Sequence, residues 1–525
     1  MVGRTSITSI LVRIIFRTFN LLALLLFKLI YRGKKEEIPP ITDLNLLEPA
    51  VSLATKIRSK KLRATDLIQS YINRIKEVQP IINAVADNRF VEAMEEARKV
   101  DELIHSGQKT EKELAEEKPF LGVPFTLKHS IAVKGMSFTS GFVPRKDVKA
   151  TEDAGIVTLL KNAGAIPLIN TNTSQLCMWW ESSNNLYGTT NNPYDTSRTV
   201  GGSSGGEGAI IASAASVIGV GSDIAGSIRI PSFYNGIFGH KPSKGITPLT
   251  GKFPVGEGDL CDFLSTGPMC RYATDLLPLM KIMAGSNISR LKLDTRVDLK
   301  DVKFYYVEEL CRPFLQPLTK DMKEAQKKVI NYIEFSHKSK PTKVKLEKMN
   351  YAVEMWTQKA KSAKAPTFSS ELACRKGEIN LFFEFLKWFL LCSSNTLPAL
   401  SLALYEKLTP EVDSEGHSYY MSMFTDIKNE LKDLLEDNCV LIMPSFPEPA
   451  PYHFHSILKP MGIYYTCLFN ALGLPVTQCP LGLNNTGLPL GVQIVSGMYN
   501  DHLSMAVAVD LEKAFGGWVS PSPIL

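Results

Sequence analysis

Gly201-Gly202-Ser203-Ser204-Gly205-Gly206, followed after an apolar run by Gly221-Ser222-Asp223-Ile224-Ala225-Gly226-Ser227-Ile228-Arg229, is the stretch on which the reading of this chain turns. Glycines let the backbone turn sharply and approach a ligand closely, and the serines place hydroxyls on that backbone. Between them, Ala209-Ile210-Ile211-Ala212 and Val217-Ile218-Gly219-Val220 read as a buried helix and a buried strand, so these loops belong to a core and are not linkers. Hydroxyls and free N–H groups on tightly turned backbone are what acyl transfer requires.

Three other readings compete for the same residues. A phosphate-binding loop needs Gly-x-x-x-x-Gly-Lys-Ser/Thr, which is absent, and Glu207 stands where such a loop wants a cation. Gly219-Val220-Gly221 is only a fragment of a dinucleotide fingerprint. The serine pair formally matches Gly-x-Ser-x-Gly in two registers, the elbow of α/β-hydrolases, which must follow a buried strand and use a downstream histidine. The preceding Tyr194-Asp195-Thr196-Ser197-Arg198-Thr199-Val200 is polar and turn-like, and none of His240, His337, His417, His453, His455 and His502 sits in a recognisable catalytic setting.

Taken together with Gly236-Ile237-Phe238-Gly239-His240-Lys241-Pro242, the two clusters resemble the signature of the amidase signature family. Upstream, Pro119-Phe120-Leu121-Gly122-Val123-Pro124-Phe125-Thr126-Leu127-Lys128 is similar to the segment that carries that family's catalytic lysine. Thr171-Asn172-Thr173-Ser174-Gln175-Leu176, Asn192-Pro193-Tyr194-Asp195, Leu472-Gly473-Leu474-Pro475 and Gly487-Leu488-Pro489-Leu490-Gly491-Val492-Gln493 extend the resemblance from about residue 45 to the end. Within the family, Glu207, the apolar N-terminus and Cys177-Met178-Trp179-Trp180-Glu181-Ser182-Ser183-Asn184 look most like the membrane-bound fatty-acid amide hydrolases of type 2.

The resemblance implies an α/β fold, a large mixed twisted sheet covered by helices on both faces, preceded here by an apolar N-terminal helix. It implies hydrolysis of fatty-acid amides to fatty acid and amine through an acyl-enzyme on Ser227. Ser203 would be the bridging serine in a cis peptide and Lys128 the base. Backbone N–H groups of Ile224, Ala225, Gly226 and Ser227 would hold the oxyanion, and Cys177 and Met178 would contact substrate. Burial explains how a lysine can serve as base, because it disfavours the ammonium and lowers the pKa from its usual value. This sequence departs from the family pattern at Ala225, where glycine is usual, at Gln175, where glutamate is common, and at His129, where an acidic residue usually follows the lysine. Alternatives within reach are an amidase or esterase for another amphipathic acyl compound, and a catalytically weak relative that binds fatty amides.

With 525 residues and 44% hydrophobic content the chain can bury a large core. Motif residues spread from 128 to 227 and resuming near 440 argue for one catalytic unit over 36–525, with a variable helix-rich region at about 300–435. Its 59 basic and 53 acidic residues are too balanced for a nucleic-acid partner. The nine cysteines form no Cys-x-x-Cys pair and His453-Phe454-His455 lacks partners, so no metal and no cofactor is expected, and the thiols read as free. Sequons stand at Asn172, Asn287 and Asn484, the first inside a core motif.

Local patterns predict particular elements. Thr65 can cap a helix carrying Leu67, Ile68, Tyr71, Ile72 and Ile75 at helical spacing and ending near Pro80. Ala165–Ile169 and Cys439–Met443 read as buried strands. Lys320, Lys323, Lys327 and Lys328 predict a solvated helix face, and the aromatic run Phe382–Leu391 predicts a buried helix, with a membrane or channel surface as the minority reading.

Residues 1–35 read as a membrane anchor. Ile7 to Tyr31 is apolar but interrupted by Arg13, Arg17 and Lys28, and its longest uncharged stretch is Thr18 to Phe27. A spanning helix wants about 20 apolar residues, so a single-pass anchor competes with an interfacial amphipathic one. No small-residue cleavage site follows, which argues against a removed signal peptide. Expected partners are therefore a fatty-acid amide and membrane lipid, at an intracellular membrane, and the resemblance leaves room for a homo-oligomer.

Overall fold

The computed structural model describes residues 7–256, 258–312, 315–363, 365–459 and 461–525. Among these, eleven strands build one sheet: β1 (Val85–Asn88), β2 (Pro124–Lys128), β3 (Ile166–Thr171), β4 (Ile218–Asp223), β5 (Phe238–Lys241), β6 (Ser265–Cys270), β7 (Lys303–Tyr306), β8 (Thr342–Lys343), β9 (Cys439–Pro444), β10 (Val476–Leu483) and β11 (Pro489–Ser496). Their spatial order is β1-β3-β2-β4-β6-β5-β10-β11-β9-β7-β8. β2 runs parallel to both β3 and β4, β7 runs parallel to β8 and β9, and the other neighbours are antiparallel. The sheet is thus mixed. The two strands expected at Ala165–Ile169 and Cys439–Met443 are β3 and β9, each buried along its whole length, which explains why both read as continuous apolar runs without alternation.

The helices that position the site are α1 (Ile7–Ile30), α2 (Ala64–Ile82), α3 (Gly205–Ala212), α4 (Arg229–Tyr234), α5 (Lys320–His337), α6 (Ala352–Ser362), α7 (Leu381–Phe389) and α8 (Leu397–Leu408). α2 buries the predicted stripe Leu67, Ile68, Tyr71, Ile72 and Ile75. Its cap is not Thr65. The N–H groups of Ala64 and Thr65 and the Thr65 hydroxyl all donate to the carboxylate of Asp101, at 2.7, 3.1 and 2.6 Å. A carboxylate 36 residues downstream satisfies the orphan donors of the first turn, a solution that local spacing does not reveal. The helix also runs past Pro80 to Ile82 and stops at Asn83, which is left-handed with φ 47°.

Lys320, Lys323, Lys327 and Lys328 lie on the exposed face of α5. The aromatic run does not form a buried helix: on α7 Phe382, Phe383 and Phe389 are 75%, 57% and 77% exposed, and Leu391 just beyond it is 93% exposed. α7 packs against α8 along a narrow strip that includes Leu381 and leaves the remaining apolar side chains in solvent.

The N-terminal segment begins in residues 1–6, outside the described residues. α1 holds Arg13, Arg17 and Lys28 within its span and leaves Ile15, Phe19, Leu21, Leu22, Leu25, Leu26 and Leu29 exposed. Its C-terminal turns meet the body: Phe27 packs on His455 with ring centroids 4.9 Å apart, and Tyr31, just past the helix, stacks on Tyr452 at 5.6 Å. Among the described residues no helix is long and apolar enough to cross a membrane, so a single-pass anchor has no support.

Candidate active site

Lys128, Thr171 and Asp223 are the last residues of β2, β3 and β4, three neighbouring strands whose carboxyl ends point to the same edge of the sheet. A crevice outside the carboxyl ends of parallel strands is a natural site for a ligand. The loop Val200–Ser204 enters this edge and leads into α3, whose residues are all buried. Gly206 is there because the chain passes so close to Asn172 that a Cβ would lie within 2.6 Å of its backbone N and O.

The fold brings the three predicted side chains together. Lys128 Nζ lies 2.6 Å from Ser203 Oγ, and Ser203 Oγ lies 2.9 Å from Ser227 Oγ. The Gly202–Ser203 peptide is cis. Lys128 is wholly buried and also donates to Ser222 Oγ at 3.0 Å. Burial lowers its pKa, against the opposing influence of Cys177, Asp223 and Glu207, so the neutral amine becomes more accessible than for an exposed lysine.

Glu207 does not supply the anion that its sequence position suggests. Burial raises its pKa to about 8 although the Thr126 and Thr171 hydroxyls and Lys128 oppose the rise. Both hydroxyls hold the carboxyl at 2.7 Å, one on each oxygen, and Gly219 leaves the room it occupies on the β4 side. His129 is likewise uncharged near neutral pH, its pKa lowered by burial to about 4. The departure at 129 therefore brings no cation to the site.

The loop Ile224–Ser227 is held from below by a buried ion pair. Asp223 accepts from Arg229 Nε and Nη2, both at 3.1 Å, and from the N–H groups of Gly226 at 2.6 Å and Ile228 at 3.0 Å. Asn470 donates to the same carboxylate at 2.9 Å and accepts from Arg229 at 2.6 Å. Removing one partner of such a pair costs about 3–5 kcal/mol, because the other charge is left buried and alone. From above, Trp356 of α6 donates to Ile224 O and Thr466 Oγ1 donates to Ala225 O.

Of the four N–H groups expected to hold an oxyanion, one is engaged elsewhere. The Gly226 N–H is committed to Asp223, whereas those of Ile224, Ala225 and Ser227 have no acceptor among the described residues, and these three residues line the cavity. Positive φ in the loop falls on Gly226, at 128°, so Ala225 meets no strain. Ser204, the other serine an elbow would use, is buried and lies 3.3 Å from Ser222 O, away from the cavity lining. The segment before it forms part of a two-stranded ribbon outside the main sheet. Of the histidines, His240 is enclosed by Thr477 and Asp501, and among the described residues none is hydrogen-bonded to Ser203 or Ser204.

A cavity of about 210 Å³ opens from Ser227. At one end stand Lys128, Ser203, Ser222 and Ser227, and its walls are mainly Leu176, Met178, Trp179, Trp180, Val353, Trp356, Phe368 and Leu402. Cys177 and Met178 both line it. Leu402 and Tyr405 come from α8 and Val353 and Trp356 from α6, so the helix-rich middle of the chain supplies one side of the cavity.

Residues 66–505 match the model of the family described as Amidase. Fatty-acid amide hydrolase 2 of Homo sapiens is 49% identical over 488 residues, 92% of each chain, and fatty-acid amide hydrolase 2-A of Danio rerio is 47% identical over 490 residues. The chain belongs to the amidase family. Among solved amidase structures, one described as fatty acid amide hydrolase superposes with a TM-score of 0.73 at 20% identity, covering 90% of this chain and 86% of that one. Another, described as amidase, gives 0.73 at 23% identity and covers 89% and 100%. These confirm the large mixed sheet with its helices, and the amidase relatives make this chain an amide hydrolase. Two supports of the amidase site were not singled out from sequence: Asp223 and Arg229 stand in the quoted signature, but their pairing with Asn470 joins residues more than 240 positions apart.

Proposed function

We propose that this amidase hydrolyses fatty-acid amides at a membrane surface, through an acyl-enzyme on Ser227. The observation that carries the reading is the unbroken contact chain from Ser227 Oγ through Ser203 Oγ to Lys128 Nζ, opening into an apolar cavity. Neutral Lys128 takes the Ser203 proton as Ser203 takes that of Ser227, and Ser227 Oγ attacks the amide carbon. The N–H groups of Ile224, Ala225 and Ser227 hold the oxyanion; losing one such donor typically costs about 100- to 1,000-fold in rate. Ser203 then returns the proton to the departing nitrogen, which leaves as neutral amine. Water repeats the sequence on the acyl-enzyme and releases the fatty acid.

The fatty acyl group is supported by the names of the relatives at 49% and 47% identity and by the aliphatic and aromatic cavity wall. Membrane association is supported by two exposed apolar surfaces, α1 and α7, and the interfacial form of the anchor agrees with the charges inside α1. Residues 36–525 are read as one catalytic unit. Ser227→Ala should abolish both turnover of oleamide and covalent labelling by a fluorophosphonate while leaving thermal unfolding unchanged. Retained labelling in that variant, with loss in Ser204→Ala, would replace the assignment by the hydrolase elbow.

A further inference from the structure

A thiol stands on the cavity wall beside two amines. Cys177 ends the short turn Gln175–Cys177, in which Leu176 and Cys177 are both left-handed (φ 52° and 60°), and the consecutive residues Leu176, Cys177 and Met178 all line the cavity. Its Sγ lies 3.6 Å from Thr173 Oγ1 and 3.7 Å from Ser140 Oγ, and Cys177 is only partly buried. Burial opposes ionisation of this thiol. Lys128, the Thr173 and Ser140 hydroxyls and Lys252 together outweigh burial and lower its pKa to about 7.

A cation without a hydrogen-bonded partner completes the arrangement. Lys252 is buried, with 6% of it exposed, and lines the same cavity. Backbone sets it there: Lys252 is bridged to Ile131, and the N–H of Phe253 donates to Ser130 O. Among the described residues its ammonium makes no hydrogen bond and meets no carboxylate within ion-pair distance. The anions that act on it are Cys177, Asp223 and Cys261; Asp223 is committed to Arg229, Asn470 and two backbone N–H groups, and of the two thiols Cys177 lines the cavity. Burial and Lys128 lower the Lys252 pKa to about 7. A buried charge is costly unless paired, so Cys177 and Lys252 are matched to trade one proton, as thiol and amine or as thiolate and ammonium. A partly exposed thiolate beside a cation is the reactive form of cysteine.

We propose that Cys177 is a covalent modification site for α,β-unsaturated carbonyl compounds that carry an alkyl chain, the class formed when unsaturated acyl chains are oxidised. The apolar wall on either side of Cys177 takes the chain, and Lys252 serves the carbonyl end. Cys177 passes its proton to Lys252, and the thiolate sulfur adds to the β-carbon. The C–S bond forms as the C=C π pair moves into the enolate, and the Lys252 ammonium returns the proton to the α-carbon. No group leaves, and no outside oxidant or reductant takes part. The thioether then fills the chamber in front of Ser227 and keeps an amide out, although neither Ser203 nor Ser227 reacts.

The test treats the full chain in detergent near neutral pH with decyl vinyl ketone, locates adducts by peptide mass mapping and follows oleamide turnover. The surface thiols Cys374 and Cys392 give the reference rate. Cys177 should gain one adduct at least about 10-fold faster than either, with turnover falling in step with its occupancy. Lys252→Met, checked for folding by thermal unfolding, should slow addition at Cys177 by roughly 10-fold relative to Cys374. Treated Cys177→Ser should keep most of its own untreated rate. Addition at Cys177 no faster than at the surface thiols overturns the inference, as does an adduct on Lys252 in its place. Equal loss of turnover in treated Cys177→Ser, or an unchanged Cys177 rate in folded Lys252→Met, overturns it too. Equal preference for Cys177 by methyl vinyl ketone removes the alkyl chain from the recognition. If the untreated wild type does not cleave oleamide, the fatty-amide reading fails, and the adduct map alone decides the modification site.

Discussion

At the residue scale the proposed relay depends on a lysine that gives up its charge. Lys128 is wholly buried and its pKa is lowered, so the proposed base is present above its folded pKa and is lost as pH falls through it. The rate should therefore rise with pH, in a window below the ordinary lysine range. Lys128→Ala should lower kcat/KM by about 100- to 10,000-fold and flatten that rise, and the pH profile of the variant against wild type is the measurement. A profile that keeps its slope without the lysine would assign the base elsewhere. The neighbouring carboxyl fits the same logic: burial raises the Glu207 pKa to about 8, which weakens its opposition to the neutral amine near pH 7. Lys128, Ser203 and Ser227 were legible because the segments that carry them resemble the amidase signature motifs. Lys252 was not, since an isolated lysine after a glycine carries no pattern, and only its burial against the cavity sets it apart.

Between elements, the departure at position 175 acquires a role. Gln175 Nε2 donates to Asn395 Oδ1 at 2.7 Å, and Gln175 Oε1 accepts from the N–H of Thr396 at 2.8 Å. Asn395 in turn donates to Glu384 of α7 at 3.1 Å, which opposes turning its amide round. A glutamate at 175 would set a carboxylate against the Asn395 carbonyl oxygen and remove a donor from a buried pair. Gln175→Glu should thus loosen the α7–α8 junction by about 1–3 kcal/mol, visible as faster hydrogen exchange at the Thr396 amide; unaltered exchange would show that the pair does not hold the junction. Elements themselves were read well where periodicity or an apolar run was strong, as in α2, β3 and β9. The α2 cap and the exposure of α7 were misread for one reason: each is decided by a partner, or the lack of one, far along the chain.

On the scale of the molecule, the catalytic end of the cavity and its apolar wall come from separate stretches: the sheet edge gives Lys128, Ser203 and Ser227, and α6 and α8 close the other side. Phe27 of α1 and Tyr31 just past it meet the body on a loop that Glu181 holds independently by accepting from the Phe454 N–H and the Ser456 hydroxyl. Deleting residues 1–35 should therefore lower the membrane-bound fraction yet preserve turnover of detergent-dispersed oleamide. Fractionation and assay of the truncated protein check both parts. Residual membrane binding would point to α7, and loss of turnover would mean that the α1 contact supports the site.

The sequence by itself, through motifs that resemble the amidase signature family, determined the family and implied the mixed α/β architecture and the three side chains of the proposed relay. Tertiary structure alone decided that Gly226 turns its N–H to Asp223 while those of Ile224, Ala225 and Ser227 keep no acceptor among the described residues, and that burial raises the pKa of Glu207 and lowers that of His129. It also decided that the Phe382–Leu391 run faces solvent. Protonation, hydrogen-bond partnership and exposure depend on which groups arrive from distant parts of the chain, and desolvation acts only once they have arrived.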